Sequence, residues 1–295
     1  MKATVVILLS DKRSGSTIFQ KELCRHPLVN HVDYSPHRHY ETHHWLKAAV
    51  ITKYVNHKGY GSIKNAKQYI IDCIRKNVPD FIIPKQGLII DGWEALCKRF
   101  ANPIFFEKSP QSLAHWGALL LLLRWIKQTE YNVKIIGLVR NPMAVMYSAY
   151  KLFFTEPEKR QFTWAKSYRN LLSFKEMLDS NQSYLVRYED LAKDPKKTFK
   201  EACDFIGIKY NKEMGKNFHS NSLNKWANDP NFTLQLHPIV AQMAEHFGYD
   251  KEDIYNPPKQ KRRFSRVKHK LKGTIKLTRA RIADRIIKPK LLKLK

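Results

Sequence analysis

Between Asp11 and Thr17 the chain reads DKRSGST, which places two cations, three hydroxyls and one glycine within seven positions. A glycine turn that opens a helix points successive backbone N–H groups into one concavity. The helix dipole adds positive potential there, and Lys12 and Arg13 bring full charges. Ser14, Ser16 and Thr17 add hydroxyl donors. The expected occupant is a phosphate-like anion held by Lys12, Arg13, Ser14, Gly15, Ser16 and Thr17. The GxxxxGK[ST] loop of nucleotide kinases is absent, because Gly15 is the only glycine here and Ser16 follows it where lysine would stand. An ordinary strand–helix turn whose hydroxyls cap the helix has the same appearance in sequence.

A second group of the same chemistry lies at Arg140. It follows the apolar run VKIIGLV, and Asn141 and Pro142 behind it suit a helix cap and first turn, with Ser148 two turns along. A guanidinium at the end of a central strand can fork onto a phosphate, and Ser148 can add a hydroxyl to the same group. An arginine that pairs with a neighbouring acid reads alike. Ile104 to Glu107 (IFFE) runs into Lys108, which puts a Glu–Lys pair at another strand end.

Residues 37–45, HRHYETHHW, are dense in groups that move protons or bind anions. His39 and His43, four apart on a helix, could ligate a metal, but no carboxylate or cysteine cluster joins them, and no metal is expected.

These groups need elements to position them. Thr4 to Leu9 is a β-branched apolar run of strand length, and Val29–Tyr34, Ile104–Glu107, Val133–Val139 and Tyr184–Arg187 supply four further strands with helical sequence between them. Residues 46–100 read as mainly helical, and helices are also expected over 196–206 and about 236–246. Strands alternating with helices predict an α/β, P-loop-like three-layer fold, with a central parallel sheet of about five strands and helices on both faces. Asn256-Pro257-Pro258 ends the pattern, so a domain over 1–258 is followed by a basic tail over 259–295.

The chain has 295 residues, 43% of them hydrophobic, enough for a sizeable core. Cys24, Cys73, Cys97 and Cys203 lie far apart and read as packed, reduced thiols in a reducing compartment. No apolar run is long enough to span a bilayer. The net charge is +27, and residues 259–295 hold sixteen Lys or Arg against Asp284, a share of +15. Val267, Leu271, Ile275, Ile282 and Ile286 spaced among those charges fit a basic amphipathic helix, which predicts peripheral attachment to an anionic membrane surface. Nucleic acid or an acidic glycan would also attract it.

The ordered set RSGST with His26-Pro27, FFEKSP, LVRNP with Ser148, VRYEDL with Pro195 and FIG, SLNKW, and GYD…YNPP resembles the sulfotransferases that use 3'-phosphoadenosine 5'-phosphosulfate (PAPS). The likeness covers residues 4–258 and is nearest the protein-tyrosine and carbohydrate branches. It implies that Arg13 to Thr17 hold the 5'-phosphosulfate and that Arg140 and Ser148 hold the 3'-phosphate. Asn224 stands in a late nucleotide-touching loop where serine is more usual. Related branches use a carboxylate just after the second strand, or a histidine elsewhere, as base. Here that implies Glu41, His37 and Asp33, in that order, with Lys108 steadying the transferred oxygens. The implied activity is sulfuryl transfer from PAPS, without a metal, to a hydroxyl or amine of a carbohydrate, glycolipid or similar acceptor. The expected place of action is the cytoplasm, at the inner membrane surface. A small-molecule kinase and a nucleic-acid-binding protein are the competing readings, and no specific nucleic acid is expected under the sulfotransferase reading.

Overall fold

The structure is a computed structural model that describes residues 2–56, 60–218 and 223–259. The tail expected beyond Lys259 and Ser222 of the late loop lie outside the described residues. Five parallel strands form one sheet in the order β2-β3-β1-β4-β5. They are β1 (Thr4–Ser10), β2 (Val29–Asn30), β3 (Ile104–Lys108), β4 (Asn132–Val139) and β5 (Ser183–Arg187). β1 lies at the centre, with Val5 in register with Phe105 on one side and Val133 on the other. Every residue of β1 is buried. Val6 and Leu8 join the core on one face and Val5, Ile7 and Leu9 the core on the other, as a two-residue period requires.

Three helices cover the first face: α1 (Ser16–Leu23), α8 (Tyr188–Lys193) and α9 (Pro195–Ile206). The second face carries α2 (His44–Ile51), α3 (Ile63–Asn77), α4 (Leu88–Phe100), α5 (Trp116–Ile126), α6 (Pro142–Phe153) and α7 (Pro157–Lys175), with α10 (Pro238–Glu245) and α11 (Lys251–Ile254) behind. Trp45, Trp93 and Trp125 pack there with ring centroids 5.2–5.9 Å apart, binding α2, α4 and α5 into one block. Helices thus lie on both faces of a five-stranded parallel sheet, as the alternation predicts. Among the described residues no helix is long and apolar enough to cross a membrane.

The second strand is shorter than the expected Val29–Tyr34. Pairing stops at Asn30, and the N–H groups of Asp33 and Tyr34 donate instead to Asn77 Oδ1 at the end of α3, at 2.9 and 3.1 Å. A side-chain amide from 44 residues downstream replaces the ladder partner, and periodicity has no means of showing that.

Candidate active site

The loop after β1 is held by contacts on both sides. Gly15 caps α1 at φ +96°, and a Cβ there would lie 2.4 Å from the Tyr188 ring, so glycine is needed for conformation and for space. Tyr168 of α7 donates to Leu138 O at 2.9 Å, so the 2.9 Å contact between its oxygen and Ser14 Oγ has serine as donor. Ser14 therefore anchors the loop through its hydroxyl. The first-turn N–H groups of α1 have no carbonyl within the helix to reach, which leaves this end able to hold an anion.

Arg160, also from α7, pairs with the buried carboxylate of Asp11. Burial raises the Asp11 carboxyl despite the Arg160 charge that opposes it. Burial and Arg160 lower the Lys12 ammonium.

Arg13, at φ +73°, joins the two expected anion sites. Its Nε donates to Ser148 Oγ at 3.1 Å, and its backbone carbonyl accepts from Arg140 Nη1 at 3.2 Å. The Arg140 guanidinium lies 4.2 Å from the Tyr188 ring centroid. Behind it Asn141 caps α6, accepting from the N–H groups of Met143 and Ala144 at 2.8 and 3.3 Å. Asn224, at φ +53°, lines a cavity of about 480 Å³ with Asn141, Arg187, Glu189, Lys193 and Tyr249.

Thr17 links the loop to a second cluster. Lys108 is fully buried at the end of β3, and its Nζ donates to Thr17 Oγ1 at 3.1 Å and to Glu41 Oε1 at 2.6 Å. The other oxygen, Glu41 Oε2, is 3.1 Å from His37 Nδ1 and 3.3 Å from His43 Nε2. Burial alone would raise the Glu41 carboxyl. Contacts from both imidazoles and from Lys108 outweigh it and hold the group well below the usual carboxylate range. Burial depresses His43 and Lys108 in turn, opposed by Glu41. Glu107 points to the opposite face of the strand, accepts from Thr42 and Ser109, and is raised by burial.

Glu41, His37 and Lys108 thus come together with the loop. Asp33 does not join them: its side chain is exposed beyond the shortened strand, and its backbone is held by Asn77. His39, weighed with His43 as a metal pair, is exposed at φ +64° in a single 3₁₀ turn. His37 takes that place, and His37, Glu41 and His43 each bring a ligand atom within 4.8 Å of the others. A carboxylate therefore does join the histidines, contrary to the sequence reading, though Lys108 already neutralises it. Sequence reasoning missed Arg160, Tyr168 and Tyr188 as supports of the loop. Only Tyr188, in the YED motif, carried a signal.

A family profile described as "Sulfotransferase family" matches residues 6–212. No curated protein matches the sequence. Among solved structures, the sulfotransferase domain of the Synechococcus PCC 7002 olefin synthase superposes with a TM-score of 0.57 at 21% identity, covering 84% of this chain and 95% of that one. The sulfotransferase domain from the curacin biosynthetic pathway gives 0.54 at 21% identity, covering 84% and 98%. Both likenesses establish the fold.

Proposed function

The chain belongs to the sulfotransferase family, and from that premise we propose that it moves the sulfuryl group of PAPS to a hydroxyl of a carbohydrate or glycolipid acceptor. The observation that carries the donor assignment is the bridge through Arg13, which ties the loop at the N-terminus of α1 to Ser148 and Arg140 at the end of β4. Two anion-binding groups so joined suit one donor with a 5'-phosphosulfate at the loop and a 3'-phosphate at Arg140. The carbohydrate assignment is supported by the likeness of the ordered motif set to the protein-tyrosine and carbohydrate branches, both of which act on hydroxyl acceptors.

In the reaction the acceptor oxygen bonds to sulfur as the sulfur–oxygen bond to the 5'-phosphate breaks, and the leaving phosphate keeps the electron pair. Lys12, Arg13 and the N–H groups of α1 face the charge that grows on that phosphate and on the sulfuryl oxygens. Thr17 and Lys108 stand between this end and the base cluster. A carboxylate held as far below its usual range as Glu41 is a weak proton acceptor. His37, 41% exposed and in contact with Glu41, takes the acceptor proton, while Glu41 orients the ring and stabilises the imidazolium that results.

Calorimetric binding of adenosine 3',5'-bisphosphate (PAP) against ADP, in the wild-type chain and in Arg140→Ala, tests the donor site. A charge-assisted contact is worth roughly 1.5–3 kcal/mol, so the substitution should weaken PAP about ten- to a hundredfold. Equal or better binding of ADP, indifferent to Arg140, would overturn the reading and favour a kinase.

A further inference from the structure

The transfer reading gives His43 no step of its own. The residue is 3% exposed, immediately before α2, and among the described residues neither of its ring nitrogens has a hydrogen-bond partner. Nε2 lies 3.3 Å from Glu41 Oε2, yet not along the direction of a hydrogen bond. Buried polar atoms left unmet are rare in folded proteins, and they often mark the place of an ion.

The geometry around His43 suits a metal. Zinc binds nitrogen and oxygen at about 2.0–2.1 Å in a tetrahedron, which sets neighbouring ligand atoms about 3.3 Å apart. Glu41 Oε2 is 3.1 Å from His37 Nδ1 and 3.3 Å from His43 Nε2, and the three atoms lie within 4.8 Å of one another. In such a site each ring nitrogen aims at the ion and not at the neighbouring oxygen, which accounts for a short N–O separation without a hydrogen bond. Lys108 takes Oε1 and leaves Oε2 to the rings. The segment that carries these donors is pinned. Thr42 Oγ1 donates to Glu107 at 2.8 Å and the His43 N–H to Ser109 Oγ at 2.9 Å, which holds His43 at its left-handed φ of +47°. His37, 41% exposed, gives an ion a way in from solvent.

We propose that His37 Nδ1, Glu41 Oε2 and His43 Nε2 form a binding site for a divalent transition-metal ion of the zinc class, and that its occupancy switches the base off. Two imidazoles and one carboxylate select zinc or cobalt over the harder magnesium. The Lys108 ammonium repels the ion and limits its affinity. The switching half rests on the sulfuryl-transfer reading, in which His37 takes the acceptor proton. A neutral imidazole has a single free lone pair. With the ion on Nδ1 the ring proton sits on Nε2, and the ring accepts no other.

The test uses the untagged full chain, freed of metal by chelation and titrated calorimetrically with Zn²⁺ and, in parallel, with Co²⁺ followed by visible absorption. Wild type should bind Zn²⁺ with a Kd of about 1 μM, unaffected by excess Mg²⁺, and give the intense band of tetrahedral Co²⁺. His37→Gln and His43→Asn should each weaken Zn²⁺ about ten- to a hundredfold and abolish the cobalt band. His37 is exposed, so its replacement does not endanger the fold, and asparagine tolerates the left-handed backbone at position 43. Metal binding indifferent to both substitutions, or no cobalt band in wild type, overturns the inference. The switch is read separately with diethyl pyrocarbonate, which acylates an imidazole through its free lone pair. With Zn²⁺ at about ten times its Kd, His37 should react about tenfold more slowly, and exposed His39, which is no ligand, at its former rate. Equal reaction of His37 with and without bound Zn²⁺ overturns the switch. Zn²⁺ bound as expected by a chain that fails to bind PAP would instead remove the sulfuryl-transfer reading and leave the metal site standing.

Discussion

Lys108 and Glu41 show why single residues in this site are not interchangeable with their neighbours. Both are buried, and removal of one partner of such a pair leaves an uncompensated charge at a cost of about 3–5 kcal/mol. Lys108→Met should therefore lower stability in urea by roughly that amount, and adding Glu41→Gln should restore much of it. Additive losses in the double-mutant cycle would show that the pair is not coupled. Histidine gives the opposite case, a group held neutral. His44 is buried, bonded to Ile89 O at 2.8 Å, and lowered by burial to about 4. Between pH 6.5 and 4 the unfolded chain binds this proton and the folded chain does not. Stability from His44 is thus complete above about 6.5 and lost as pH falls toward 4, on the order of 3 kcal/mol in all. Urea midpoints at pH 7 and 5 should differ in wild type and by less in His44→Gln, where His115, also lowered to about 4, still contributes, and an equal difference in both would exclude His44 as a source. At this scale, sequence reading reaches residues whose partners are local. Lys12 to Thr17 and Arg140 are legible because a strand end or a helix start explains them alone. Arg160 and Tyr168 are not, because their roles depend on Asp11 and Ser14 being brought to them across about 150 residues of chain.

At the scale of elements, the unit formed by β1, its loop and α1 is the part of the fold most visible beforehand, since an apolar run, a glycine and an amphipathic helix follow one another without interruption. Gly15 is the joint. Alanine there meets both the strain of a positive φ, about 1–2 kcal/mol, and the Tyr188 ring. Because Tyr188 also stacks on Arg140, displacing its ring disturbs both of the proposed anion-binding groups at once. Gly15→Ala should reduce PAP affinity more than tenfold and lower Tm by several degrees, and wild-type affinity in this variant would remove the loop from the binding site. The β2 edge was less legible for a definite reason. Val29–Tyr34 alternates like a strand, yet the hydrogen bonds that would extend it are taken by Asn77, a residue whose own neighbours suggest only a helix end.

For the whole molecule the controlling quantity is where its +27 lies. Lys259 Nζ donates to the carbonyls of Trp226, Asp229 and Phe232 at 3.2, 3.1 and 3.3 Å, which fixes the end of the described chain against the body. A truncation after Lys259 keeps those bonds and removes Asp284 with fifteen of the sixteen basic residues counted from 259. If the segment attaches the enzyme to an anionic membrane surface, as we propose, each charge contributes about 1 kcal/mol near the lipid and together they dominate binding. The full chain should then sediment with phosphatidylserine vesicles at 0.1 M salt and be released near 1 M, where the screening length falls from about 10 to about 3 Å. The truncated chain should stay in the supernatant at both, with PAP affinity unchanged because Arg13 and Arg140 are untouched. Equal sedimentation of the two chains would place the membrane contact on the body, or nowhere. Release of the full chain from vesicles by a short acidic oligosaccharide, but not by its neutral counterpart, would further show the charge to be available to soluble anions, the condition under which it also draws acidic acceptors toward the enzyme.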